Sequence, residues 1–149
     1  MSWIRQCVVL AVVGCLLALL PSAAFAGRSE RALVKKINQV RASYGIGALK
    51  MSKSLNRSSG SYVRMMLTRR YFGHLSSIKM SRRFNKRGEV LAQTRGRRPR
   101  PGTAVAQWMG SPMHRTVLLD GGFRYIGVGR AYGSFGGRAA TGWVAQLGS

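Results

Sequence analysis

Apolar residues fall at Leu33, Val34, Ile37, Val40 and Tyr44, one face of a 3.6-residue repeat, and predict an amphipathic helix from Ser29 to about Ser43. Ser29 suits the N-cap, and Gly45 and Gly47 suit the stop. Ala48-Leu49 opens a short bridge through Met51. A second helix, capped by Ser52 or Ser54, is expected to run to about Arg70, with Leu55, Tyr62, Met65 and Met66 in phase and Gly60 permitting a close helix contact. Arg95 to Pro101 reads as a loop, because its like charges repel and its prolines disfavour regular pairing. Thr103 can cap a short helix carrying Val105 and Trp108. Ser111-Pro112 restarts a helix that turns Met113, Val117 and Leu118 inward and ends near Gly121-Gly122. The last stretch changes period: 123–130 and 141–147 read as two strands joined through the glycine-rich 134–137. Helices followed by a terminal antiparallel pair make an α+β chain.

The first 26 residues stand apart. Arg5 precedes an apolar run from Cys7 to Leu20, and Ala24-Phe25-Ala26 offers an A-x-A cleavage point after Ala26. This predicts a secretory signal peptide in 1–26 and a single domain in 27–149. The run of about 14 residues is shorter than the roughly 20 a spanning helix needs. An uncleaved anchor and a lipoprotein signal at Cys15 are the competing readings. Cys15 lies inside the apolar run, whereas a lipobox cysteine follows it. Both cysteines, Cys7 and Cys15, fall in the leader, so the domain itself has neither disulfides nor a thiol nucleophile or thiolate metal site.

Charge narrows the partner. The chain holds 25 Lys and Arg against three acids; without Arg5 the balance is 24 to three, a formal +21. Such a surface suits anionic lipid, wall polymer or other polyanions. Arg outnumbers Lys 19 to 6, which coding bias alone can produce, and no specific nucleic-acid-binding motif is present. The cations expected to hold an anion are Arg82, Arg83, Lys86, Arg87, Arg95, Arg97 and Arg98. A monomer at a membrane surface or in the wall is the expected setting.

Proton-transfer and metal chemistry have few candidates: Glu30, Glu89, Asp120, His74 and His114. Glu30 is assigned to a solvated helix start and Asp120 to a turn. His74 follows a helix end. His114 stands at the third helical position if Ser111 caps, where the helix dipole and surrounding cations both disfavour imidazolium. Glu89, among so many cations, is expected ionised and salt-bridged. Two histidines and one glutamate could in principle hold zinc with an open position, although a +21 surface repels a divalent cation. No G-x-S-x-G occurs, and no Asp lies near the histidine phrases to complete a triad except Asp120, which is placed in a turn. Trp108 and Trp143 read as core aromatics, and Gly127 and Gly129 as marks of close packing or a bulge.

Five phrases, in order, carry a resemblance. They are Asn38-Gln39-Val40-Arg41 with Gly47-Ala48-Leu49; Tyr71-Phe72-Gly73-His74-Leu75-Ser76; Gly88-Glu89-Val90-Leu91-Ala92; Trp108 through Leu119; and Ile126-Gly127-Val128-Gly129 with Trp143-Val144-Ala145-Gln146. From about Leu33 to Gly148 the chain resembles the CAP, or SCP-like, domain in its compact bacterial secreted form. That resemblance implies a three-layer α-β-α sandwich around a small antiparallel sheet, with a cleft of histidine and glutamate. His74 and Glu89 match the first histidine and first glutamate of that cleft. The second glutamate falls on Ser111 and the second histidine on Trp143, while His114 matches the histidine that bacterial members carry. Val90 replaces the usual Asn. The function expected is a non-enzymatic secreted module that binds anionic envelope lipid or wall polymer without a cofactor. The alternative is a metal-dependent hydrolase, with zinc held by His74, Glu89 and His114.

Overall fold

The computed structural model describes residues 23–149, with side chains from Gly27 onward. The expected leader up to residue 22, with both cysteines, lies outside the described residues. The elements are α1 (Ala23–Ser43), β1 (Lys50–Met51), α2 (Lys53–Thr68), β2 (Arg87–Thr94), α3 (Pro101–Gly110), α4 (Pro112–Leu118), β3 (Tyr125–Phe135) and β4 (Arg138–Gly148). Together they are α+β. The sheet runs β1-β3-β4-β2; β3, β4 and β2 are antiparallel neighbours, and the two-residue β1 pairs parallel to β3.

Strand alternation divides the core into two layers. Val90, Ala92, Val128, Trp143, Ala145 and Leu147 face Leu33 and Ile37 of α1 and Trp108 of α3. On the opposite face Leu91 and Val144 meet Tyr62, Val63 and Met66 of α2. Helices α1, α3 and α4 therefore cover one face of the sheet and α2 the other. Trp143 is fully buried and donates its indole N–H to Thr94 Oγ1 at 2.8 Å. Trp108 is equally buried and donates to the Leu91 carbonyl at 2.8 Å.

Two glycines let α2 settle onto the sheet. A Cβ on Gly127 would collide with the backbone of Leu55 and Asn56, and one on Gly129 with that of Ser59 and Gly60. This is the close packing expected of them, and Gly60 lies at the point of approach. Ser59 Oγ then donates to the Gly127 carbonyl at 3.0 Å.

The opening phrase is structural. Asn38 donates to the Leu49 carbonyl and accepts from the Leu49 N–H, at 3.0 and 2.9 Å. Arg41 is buried, and its guanidinium donates to the carbonyls of Gly47, Leu118 and Asp120 at 2.9, 2.7 and 3.0 Å. One cation thus ties the end of α1 to the end of α4.

Several local expectations are corrected. Helix α1 starts at Ala23, so Ser29 is interior to it and not its cap. Ser52 caps α2, accepting the Leu55 N–H at 3.5 Å. Helix α3 begins at Pro101 with Arg100 at the cap position, which leaves Thr103 inside the helix. Ser111 stands at the start of α4, but its hydroxyl makes no capping bond. Tyr44 is 56% and Met113 81% exposed, because each lies at a helix end beyond the reach of the sheet. The final hairpin turns at Gly136-Gly137, both with positive φ, the conformation that a two-residue turn of this hand requires. The segment around Glu89, not assigned from sequence, is the edge strand β2.

Candidate functional site

The site forms beside β2, where the α2–β2 connection and α4 converge. Helix α2 ends in a reversal: Arg70 takes φ +52, its N–H donates to Leu67, and the Tyr71 N–H donates to Met66, pairing the last carbonyls of the helix. The chain then passes under two phenols. Tyr62 donates to the Gly73 carbonyl at 2.6 Å; the Tyr71 hydroxyl is 2.7 Å from the same oxygen and 3.0 Å from Tyr62's. Burial, then the bond to Tyr71, pushes the Tyr62 phenol well above its ordinary range, so it remains a donor. This clamp sets the residue before His74.

His74 Nδ1 lies 2.9 Å from Glu89 Oε1, and Gln146 Nε2 donates to Glu89 Oε2 at 2.8 Å. Gln146 is placed by strand register, directly across from Glu89. Its carbonyl accepts from Ser58 Oγ of α2 at 2.5 Å. Both carboxylate oxygens are therefore engaged from within the protein. The Glu89 side chain is 3% exposed and that of His74 48%. His114 approaches from α4, its ring 6.3 Å from that of His74 and tilted by 43°. Burial first, and then the neighbouring His74, lower the pKa of His114. The direction matches the sequence expectation, with burial and His74 as its causes.

The structure brings His74, Glu89 and His114 to one place. It gives Glu89 a histidine and a glutamine as partners where cations were expected, because the Arg and Lys side chains of this region point outward. Trp143, the counterpart of the second histidine, lies three residues from Gln146 and so on the opposite face of β4, in the core. Gln146, Ser58 and Tyr62 were not read from sequence. The one available signal was a polar residue inside the apolar run Val144-Ala145-Gln146-Leu147.

The donor set does not suit a zinc ion with three protein ligands. Glu89 is committed to His74 and Gln146, which leaves two imidazoles. Among the described residues no group of three or more His, Cys, Asp or Glu is arranged to hold a metal.

The cations split into two groups. Arg82, Arg83, Lys86 and Arg87 lie at the Glu89 end of β2. Arg95, Arg97 and Arg98 follow its far end, about 20 Å away at roughly 3.3 Å per residue. Both groups are exposed. Arg83 lies over the Phe84 ring and donates to Ser52, and Lys86 pairs with Asp120 at 2.6 Å. Arg82, Arg95 and Arg98 have no side-chain partner among the described residues.

The family follows from this frame and these phrases. The model of the CAP, cysteine-rich secretory protein family, matches residues 34–147, and the chain belongs to that family. Its fold is similar to that of an outer surface protein of Borrelia burgdorferi, with TM-score 0.68 at 19% identity over 80% of this chain and 90% of that one. It is also similar to an extracellular SCP-domain protein of Bacillus anthracis, with TM-score 0.64 at 20% identity. That match covers 83% of this chain but 41% of the Bacillus protein. Venom allergen-like protein 4 of Schistosoma mansoni matches with TM-score 0.62 at 14% identity, over 81% and 89% of the two chains. No curated protein sequence matches significantly.

Proposed function

We propose that this chain is an exported, non-enzymatic CAP module that binds anionic envelope material, lipid or wall polymer, through its basic surface. One observation carries the reading: the positive charge is almost wholly uncompensated. Of the three acids, Glu89 pairs with His74 and Glu30 with no cation, so Asp120 with Lys86 is the one Lys–acid or Arg–acid pair among the described residues. A surface of this kind lowers its own repulsion by meeting a polyanion. The apolar leader read from the sequence supplies export. No helix among the described residues is long and apolar enough to cross a membrane.

The His74–Glu89–Gln146 cluster then serves to pin the α2–β2 connection, which carries Arg82, Arg83 and Lys86, onto the sheet. Co-sedimentation with vesicles of phosphatidylglycerol and phosphatidylcholine, and with wall preparations, tests this. Binding is expected to anionic vesicles or wall, weakening as salt rises from about 50 to 500 mM, since the screening length shortens several-fold. Absence of binding at low salt, or binding indifferent to salt, overturns it.

A further inference from the structure

On the other flank of α2 lies a second cavity, of about 400 Å³. It opens along the edge of β3. Strand β1 covers that edge only at Tyr125 and Ile126, so Val128 to Arg130 are left without a neighbouring strand. Helix α1 closes the cavity from one side of the sheet and α2 from the other. Its chemistry comes from Glu30 and Arg31 of α1, Asn56, Arg57 and Arg64 of α2, and Arg130 of β3. Asn56 Oδ1 accepts the Val128 N–H at 2.9 Å. Two residues along, the Arg130 N–H points the same way, toward the open edge.

Glu30 is the anomaly. The sequence assigns it to solvent, yet the residue is 8% exposed, and its buried Oε2 has no hydrogen-bond partner. An unsatisfied buried carboxyl oxygen costs stability unless something fills the site. Arg31, Arg57, Arg64 and Arg130 line the same cavity, and none makes an ion pair with Glu30.

We infer that this cavity is a binding site for a phosphate-type oxyanion, which the arginines neutralise while the Glu30 carboxyl shares one proton with a ligand oxygen. The inference does not rest on the reading of the basic surface along β2. Burial, the largest influence, raises the Glu30 pKa to about 7, against the opposing pull of Arg130 and Arg31. The carboxyl is thus half protonated near neutrality and donates to an anion in that form. Phosphate monoesters have a second ionisation near about pH 6 and can bring the proton themselves when Glu30 has lost its own. Sulfate cannot. The site should therefore tell the two anions apart by pH: sulfate needs protonated Glu30, and its affinity falls up to about ten-fold per pH unit above neutrality. Phosphate falls less.

Calorimetric titration of the purified protein with inorganic phosphate, glycerol phosphate and sulfate at pH 6 and pH 8 tests this, with phosphatidic acid vesicles as a further arm. Saturable 1:1 binding of phosphate is expected, with sulfate selectively lost at pH 8. Glu30→Gln, which keeps a donor, should hold sulfate equally at both pH values. Arg57→Gln with Arg64→Gln, both on the exposed surface of α2, should weaken phosphate on the order of ten-fold or more. Binding of soluble phosphate identifies a free or esterified small anion. Binding of phosphatidic acid alone, lost in the Arg57/Arg64 pair, identifies a headgroup. Failure of every phosphate probe to bind overturns the inference, as does phosphate binding unchanged in the Arg57/Arg64 pair. Charge removal at Arg82, Arg83 and Arg87 leaves this site intact, so the two proposals fail separately.

Discussion

Glu30 is buried and His114 half-buried, and their pKa values move in opposite directions. Folded Glu30 holds its proton to about pH 7 where the unfolded chain releases it near 4.5. The folded state therefore binds more protons through that window, and stability falls as pH rises from about 4.5 to 7, then levels off. At about 1.4 kcal/mol per pH unit the loss is at most about 3.5 kcal/mol. Denaturant melts in a buffer without phosphate or sulfate should show this slope in the native protein and not in Glu30→Gln. For His114, burial and then His74 lower the pKa, so its contribution is present above the ordinary histidine range and is lost as pH falls through the depressed folded value. Removing the neighbouring ring in His74→Ala should raise the His114 midpoint part of the way back, read by NMR titration of the His114 ring. A His114 midpoint that does not move would mean that the two rings are not coupled.

Among the elements, α2 organises the molecule. Gly127 and Gly129 bring it against the sheet; one flank then presents Ser58 and Tyr62 to the His74 cluster, and the other presents Asn56, Arg57 and Arg64 to the oxyanion cavity. Gly129→Ala puts a methyl into the backbone at Ser59 and Gly60. It should cost about 3 kcal/mol in denaturant melts, since the helix must lift from the strand to admit the methyl. A change below about 0.5 kcal/mol would show that the contact is not tight.

This is also the scale at which the sequence was most and least legible. The apolar repeats of α1 and α2 and the glycines of β3 are local signals, and they pointed to the right elements and to close packing. Helix starts were misplaced at Ser29 and Thr103: α1 runs back to Ala23, and α3 starts at Pro101, where no side chain caps it. Strand β2 escaped because Val90, Leu91 and Ala92 are buried on both faces and do not alternate. His74, Glu89 and His114 were legible through their scarcity and their phrases. Gln146 was not, because its role exists only in the register of β4 against β2. Glu30 misled for the same reason: what buries it is the distant edge of β3.

At the scale of the whole molecule, the balance of 25 basic residues against three acids is the dominant fact. Folding leaves no acid free: Glu89 is enclosed by His74 and Gln146, Glu30 is buried, and the partly exposed Asp120 is taken by Lys86, whose bond lowers the Asp120 pKa first among several causes. Most of the arginines stay outside, with Arg41 the buried exception. This distribution of charge supports the proposed anionic partner, and a polar cluster with both Glu89 oxygens internally bonded supports the proposed loop-holding role.

The two roles separate in one measurement: vesicle co-sedimentation at about 50 mM salt, comparing Arg82→Gln/Arg83→Gln/Arg87→Gln with Glu89→Gln. If the cations bind and the cluster only supports, the triple variant should lose on the order of ten-fold or more in affinity, at about 1 kcal/mol per basic residue near an anionic membrane. Folded Glu89→Gln should then bind within about two-fold of the native protein. Full binding by the triple variant, with loss confined to Glu89→Gln, would contradict the account and place recognition in the cleft.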